Sequence, residues 1–224
     1  MIGTFAEWQP RYAEQGISTF PVQDKKPAVR GYLKVGPDRS RELAQKFARH
    51  DAFGFALGRH SNIAVLDVDT SDERVLADAL LRHGSTPIVV RSGSGNYQAW
   101  YRYRGERRRL RPWQGYPIDI LGRGYVVAPP SAGSRNSYAF IQGSLDDVTA
   151  LPVLRGLDVA ARLIARTERA ICEGRRNQAL WDHCMQQAHH CGSFDDLLDV
   201  AGTFNKERCE PPLEERSCRE DWDL

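Results

Sequence analysis

The chain has 224 residues, 41% of them apolar, and 31 basic against 29 acidic side chains give a net charge of +2. That length suits one large domain, or a medium domain with a small appendage, around an ordinary buried core. The near-neutral balance excludes a global basic signature for nucleic acid. Runs such as Ile63 to Leu66 are far too short to cross a bilayer, and the first twenty residues show no basic and then apolar leader, so a soluble, cytoplasmic protein is expected. Five cysteines, at 172, 184, 191, 209 and 218, show no CxxC spacing and read as reduced thiols.

In chain order, Phe5, Trp8, Tyr12 and Ala13 fall at helical spacing before Gly16, and the run Ile17 to Val22 is β-prone. A basic loop from Asp24 to Gly36 precedes a helix predicted from an N-cap at Ser40 to about His50. Strands are predicted over Phe53 to Leu57 and Ile63 to Val68, then a helix from about Ser71, capped by Ser71 or Thr70, to His83. Ile88 to Arg91 and Tyr97 to Tyr103 read as strands joined through Ser92-Gly-Ser-Gly-Asn96. Ile118 to Leu121 and Tyr125 to Ala128 flank Gly122-Arg-Gly124, a hairpin signal. Beyond about Asp158 the pattern is helical, with segments near Ala160 to Cys172, Asn177 to His190 and Phe194 to Asn205. A boundary in the Gly143 to Pro152 region separates a mixed body, 1–150, from a helical part, 151–224.

The segment Ile63-Ala-Val-Leu-Asp67-Val-Asp69 is apolar at nearly every position, as in a strand covered on both faces, yet ends in two carboxylates spaced by two that share a face. Such a pair suits a hard divalent cation; a solvated pair in a strand-to-helix turn is the alternative. Asp119 is a third carboxylate inside an apolar strand and needs a partner, either a cation shared with Asp67 and Asp69 or one of the arginines. The loop Ser92, Gly93, Ser94 and Gly95 reads either as an anion nest, with Arg91 and Gln98 adding donors, or as a plain hairpin turn. Between Arg102 and Arg111 stand six arginines. With Trp100 they read either as a nucleic-acid surface, through Arg102, Arg104, Arg107, Arg108 and Arg109, or as a solvated hairpin tip whose aromatics pack inside. His183 with His190, and Cys184 with Cys191, sit seven apart, roughly 10 Å along one helix, too far to share a zinc ion there.

Taken in order, these residues resemble the bifunctional primase/polymerase N-terminal domain of the archaeo-eukaryotic primase superfamily, over about residues 8 to 150. Leu66-Asp-Val-Asp69 is similar to its two-aspartate motif, Ser92 to Gln98 to its glycine-rich second motif, and Ile118 to Ser131 to its third, with the last metal aspartate. Lys25-Lys26-Pro27 is similar to the family's lysine-proline element, and Gly174 to Asn177 resembles the start of a helical primase C-terminal segment. Gln98 stands where the family has histidine.

The resemblance implies an α+β fold, an N-terminal α/β subdomain packed on an RRM-like mixed sheet, followed by a helical C-terminal segment. It implies nucleotidyl transfer in DNA replication, in a plasmid, phage or integrated element. Two Mg²⁺ or Mn²⁺ ions would be held by Asp67, Asp69 and Asp119, and the triphosphate by Ser92 to Gly95, Gln98, Arg91 and Lys26. Expected partners are a single-stranded DNA template, nucleoside triphosphates and a separate helicase. An inactive nucleic-acid-binding module and a metal-dependent nuclease are the competing functions.

Overall fold

The computed structural model describes residues 2–113, 115–156, 171–188, 191 and 193–214. α1 (Thr4–Glu14) buries Phe5, Gln9 and Tyr12 along one stripe and ends before Gly16, whose φ of 73° no bulky residue adopts comfortably. α2 (Pro37–Lys46) begins after Gly36 with Pro37 in its first turn, a position where the missing N–H costs nothing. Ser40 is therefore not its cap. It lies buried inside α2, where its hydroxyl accepts from Thr19 N at 2.9 Å and from Gln9 Nε2 at 3.3 Å, tying both helices to the first sheet.

That sheet is four-stranded, in the order β2 (Lys26–Pro27), β1 (Thr19–Gln23), β3 (Phe53–Ala56), β8 (Tyr125–Val127). The second has five strands, in the order β7 (Ile118–Leu121), β4 (Ile63–Val68), β6 (Tyr97–Arg102), β5 (Val89–Arg91), β9 (Ala139–Gln142). Its first four members, numbered within the unit, run 4-1-3-2, the strand order of an RRM-like sheet. α3 (Glu73–His83) carries the chain from β4 to β5, and β6 inserts between them, a split βαβ unit. The sheet was expected to be mixed. Every neighbouring pair in it is antiparallel because β6 separates the two co-directional strands. The Arg-rich segment 103–117 joins β6 to β7 where an RRM would place its second helix.

α3 is capped by Asp72, whose Oδ1 accepts Arg74 N at 2.9 Å, rather than by Ser71 or Thr70. It covers one face of the five-stranded sheet through Leu76 and Ala79, against Leu66, Val68, Tyr97, Ala99, Tyr101, Ile118 and Ile120. The other face, with Val65, Val90, Trp100 and Leu121, joins the four-stranded sheet, α1 and α2 in a single larger cluster. Ring contacts run from Tyr12 to Phe55 at 6.2 Å and on to Trp100 at 5.1 Å, linking α1, β3 and β6.

The segment Gly122 to Gly124 makes no hairpin. Leu121 pairs with Val65 in one sheet while Tyr125 pairs with Ala56 in the other, so the chain crosses between sheets there. Glycine is needed for that crossing rather than for a turn: a Cβ on Gly122 would run into the Glu106 backbone, and Gly124 has φ 86°.

Beyond β9 the chain stays on this body as far as Leu154. The 3-10 turn Leu145–Ala150 leads to Leu151 in the larger cluster and Leu154 in the α3 cluster, and Arg102 N donates to Pro152 O at 2.7 Å. The predicted helix 160–172 lies outside the described residues except for Ile171–Cys172. Those two form β10, parallel to β11 (Cys209–Glu210). α4 (Arg176–Gln187) and α5 (Phe194–Arg208) pack through Leu180, Cys184 and Ala201. Among the described residues no helix is long and apolar enough to cross a membrane.

Ser131 shows how the third sequence motif serves the fold. Its hydroxyl accepts from Phe53 N at 2.9 Å and donates to Phe53 O at 3.0 Å, wholly buried. Ser131→Ala leaves the Phe53 N–H without its acceptor and is expected to cost about 1–3 kcal/mol. Urea denaturation of the two proteins checks this; an unchanged midpoint would mean that the clamp is dispensable.

Candidate active site

Alternation along β4 places Val65 and Asp67 on one face and Leu66 and Val68 on the other. Val65 belongs to the cluster shared with the four-stranded sheet, so Asp67 looks toward that sheet rather than toward α3. The register sets Asp67 directly opposite Gln98 on β6 and opposite Asp119 on β7. Gln98, Asp67 and Asp119 thus form a row across three strands, with opposed Cβ atoms roughly 4.5–5.5 Å apart by ladder geometry. Asp69 lies just past the end of β4, where its N–H donates to Pro117 O at 2.8 Å.

This crowding disfavours ionisation. Burial, then the charges of Asp119 and Asp69, push Asp67 up to about 7, against the pull of Arg108 and a hydrogen bond from the Gln98 side chain. Asp119 is also raised, chiefly by burial, although Arg111 N donates to its Oδ1 at 2.8 Å.

Two residues that the sequence did not single out complete the surroundings. The Arg111 guanidinium lies 3.2 Å from Asp69 Oδ2, so this one residue serves Asp69 with its side chain and Asp119 with its backbone. Asn96 Nδ2 donates to Asp69 Oδ1 at 2.6 Å. Arg111 was visible only as one arginine among six, and Asn96 only as the last residue of a glycine-rich turn.

Among the described residues no three acidic, histidine or cysteine side chains converge as a ready ligand group. The donor chemistry nevertheless fits a hard cation. Three carboxylates occupy neighbouring positions, the Arg111 guanidinium already sits against one of them, Asp69, and the Gln98 Oε1 in the same row is buried without a hydrogen-bond partner among the described residues.

The loop Ser92 to Asn96 closes the β5–β6 hairpin, with Ser92 N donating to Asn96 O at 2.7 Å and the Ser92 and Ser94 hydroxyls 3.0 Å apart. Its Gly93 is required by packing: a Cβ there would meet Gly133 and the Asn136 carbonyl, and Gly93 O accepts from Asn136 N at 3.1 Å. Gly95 has φ 98°, and Arg135 bonds Ser94 O. Arg91 is exposed and stacks over Tyr97. Lys26 is exposed on the edge strand β2; its neighbour Lys25, with Arg49, His50, Gly133 and Tyr138, lines a cavity of about 600 Å³.

The arginine stretch departs from its sequence reading at two positions. Trp100 does share a face with Gln98, but that face is covered by the four-stranded sheet; the ring is 0% exposed and cannot stack on a base. Arg108 is not free for phosphate either. It is buried against Asp196 of α5 at 3.1 Å, 88 residues away in sequence, with only 9% of its side chain exposed. Arg102 reaches the Thr149 carbonyl, Arg104 is exposed, and Arg107 and Arg109 both approach Glu207 of α5, at 3.9 Å and 2.6 Å.

With this geometry in hand, the comparison with known families is decisive: the model of the bifunctional DNA primase/polymerase N-terminal domain matches residues 9–154. The chain belongs to that family. The primase/polymerase match begins inside α1, spans both large sheets and the acidic row, and ends at Leu154, which packs into the α3 cluster. No curated protein matches the chain.

The strain in the row has a measurable sign. Asp67 holds its proton more tightly in the folded state, so the metal-free fold binds more protons than the unfolded chain between the ordinary carboxylate range and about pH 7. Stability contributed by this group is therefore lost as pH rises through that window. Thermal melts in a chelator at about pH 5 and about pH 8 are expected to show a drop in Tm for the wild type and a smaller drop for Asp67→Asn. Equal drops in both proteins would contradict the assignment of strain to Asp67.

Proposed function

We propose that this primase/polymerase domain performs template-directed nucleotidyl transfer, with Asp67, Asp69 and Asp119 holding two Mg²⁺ or Mn²⁺ ions. The observation that carries this reading is the register of Asp67 against Asp119, with Asp69 two residues on. When bound, divalent cations supply charge neutralisation for a triphosphate and for the displacement at its α-phosphorus.

The chain's own residues are assigned positioning roles. Gln98 steadies Asp67 in its ionised form, a task that its neutral amide performs at every pH. The Ser92 to Gly95 turn and Arg91 offer donors to the phosphates. The cavity beside them, walled by Lys25, Arg49 and Tyr138, is the space this reading gives to the incoming nucleotide. Arg111 must release Asp69 for a cation to take its place, and it is then free to pair with phosphate. Acceleration comes from orientation and charge, without a covalent intermediate. Activity in the replication of a plasmid, phage or integrated element, with a separate helicase opening the duplex, is the setting that fits such a domain.

A binding module without catalysis is the second reading, and the Arg111 contacts to Asp69 and Asp119 favour it, because they satisfy those carboxylates without metal. Incubation with a single-stranded template, nucleotides and Mn²⁺ separates the possibilities. New product supports transfer, a shortened template indicates a nuclease, and a shifted band alone indicates a binder.

Within this reading, Asp67→Ala and Asp69→Ala are expected to abolish product while leaving far-ultraviolet circular dichroism unchanged, since removing mutual repulsion should not unfold the metal-free protein. Gln98→Ala is expected to raise the apparent nucleotide constant, by about 1–3 kcal/mol in transition-state terms, and Gln98→His to restore it with an altered pH profile. If the wild type and all four variants extend a primer equally, the site is elsewhere.

A further inference from the structure

Tyr12, Tyr101 and Tyr125 each donate a phenolic hydrogen bond to a backbone carbonyl, of Pro129 at 2.7 Å, Gly84 at 2.6 Å and Lys25 at 2.8 Å. A tyrosine packed inside a fold ordinarily finds such a partner. Tyr138 does not: it is only 5% exposed, and its hydroxyl has no hydrogen-bond partner among the described residues. The Tyr32 hydroxyl is also unpartnered, but it is sealed off from any open space. The Tyr138 hydroxyl is not sealed, because the residue walls the cavity of about 600 Å³ that also holds Lys25 and Arg49.

The sheet fixes where that hydroxyl stands. Tyr138 N donates to Ser131 O at 2.8 Å, and the next residue, Ala139, opens β9 opposite Arg91. Alternation gives Tyr138 the face of Phe140, whose ring meets Trp100 at 5.8 Å, so the phenol lies on the same side of the sheet as the acidic row. The register extends that row through Gln98 to Val90 and Phe140. Two residues along each strand, Asp69, Asn96, Ser92 and Tyr138 form a second level, in which Asn96 Nδ2 donates to Asp69 and Ser92 N donates to Asn96 O. Tyr138 thus ends the level that begins at Asp69.

The chemistry of the cavity suits an anion at this end. Burial, then the charge of Asp67, push the Tyr138 phenol up to about 12, so it stays protonated and meets an anion as a donor. Lys25 and Arg49 line the same space against the carboxylates Asp24 and Asp51, and Asp51 already accepts from Thr4 N at 3.4 Å. Gly133, another wall, packs on Gly93 of the Ser92 to Gly95 turn, which brings that turn's donors beside the cavity.

We propose that Tyr138 is a nucleotide-binding residue, its hydroxyl donating to a phosphate oxygen of the incoming nucleotide between the Ser92 to Gly95 turn and the acidic row. This rests on the reading of the cavity as the nucleotide's space. The hydroxyl gives up no bond within the protein to make this contact, so only water is displaced, and a charged acceptor makes the bond a strong one.

Tyr138→Phe in the full chain removes the hydroxyl and keeps the ring in its packing. The melting temperature without nucleotide is expected to hold, and a fall would overturn the proposal by showing that the hydroxyl is bonded inside the protein. Binding of a deoxynucleoside triphosphate labelled on its base, followed by fluorescence anisotropy with Mn²⁺ and without template, is expected to weaken roughly tenfold. Unlabelled ribo- and deoxyribonucleoside triphosphates are expected to lose the same factor as competitors. Unchanged affinity would overturn the proposal, as would absence of nucleotide binding by the wild type. A loss confined to ribonucleotides would also overturn it, since the hydroxyl would then read the sugar. Primer extension is scored separately. Extension by the wild type with unaltered Tyr138→Phe binding sinks the role of Tyr138 and spares the transfer reading; weakened binding without extension by either protein does the reverse.

Discussion

Asp67 and Asp119 sit face to face on adjacent antiparallel strands, and the architecture around them is organised by that opposition. If both are ionised, two carboxylates roughly 5 Å apart, the Cβ spacing of opposed strand residues, repel by on the order of 3 kcal/mol even at an effective dielectric constant near 20. The ladder between β4 and β7 does not let them part, because Val65 with Leu121 and Leu66 with Ile120 hold the register from one side and Val68 with Ile118 from the other. Slipping by one residue would turn Leu66 and Val68 out of the α3 cluster and move the carboxylates to the wrong face. The apolar packing of the sheet is what keeps an unfavourable charge arrangement in place.

Positive charge gathers around the row to compensate. Arg111 bridges Asp69 and Asp119 at the mouth, and Arg108 favours the ionised forms of Asp67 and Asp119 from within. Arg108 is itself buried against Asp196, so the helical C-terminal part is tied electrostatically to the site. Removing one partner of such a pair leaves an uncompensated buried charge. The further pairs Arg123 with Asp199 and Arg109 with Glu207 extend the seam along α5. One acidic helix thereby organises arginines from two separate segments of the sheet body.

Much of this was legible before the fold was known, and the part that was not has a common cause. The strand Ile63–Val68 is buried on both faces, so its composition declared it, and a carboxylate at its end stood out against an apolar background. That Asp119 belongs beside it follows from strand adjacency, which no local pattern encodes. Period-two alternation along Tyr97–Arg102 puts Gln98 and Trp100 on one face, but alternation does not say whether a face meets water or another sheet; here it meets a sheet. Gly122 and Gly124 looked like a turn because glycine marks positive φ and close approach equally, and only the crossing between sheets distinguishes them. Arg108 could not be separated from its exposed neighbours, since its partner lies 88 residues away.

The central claim is that the carboxylate row is a cation site held under strain by the sheet. Titration of the metal-free protein with Mn²⁺, followed by the loss of the free-ion electron paramagnetic resonance signal, tests it without reference to any activity. The account predicts saturable binding by the wild type, with the tightest binding lost in Asp119→Asn, a change that keeps the strand and removes one hard anionic ligand. Binding of equal strength and number in wild type and Asp119→Asn would contradict it.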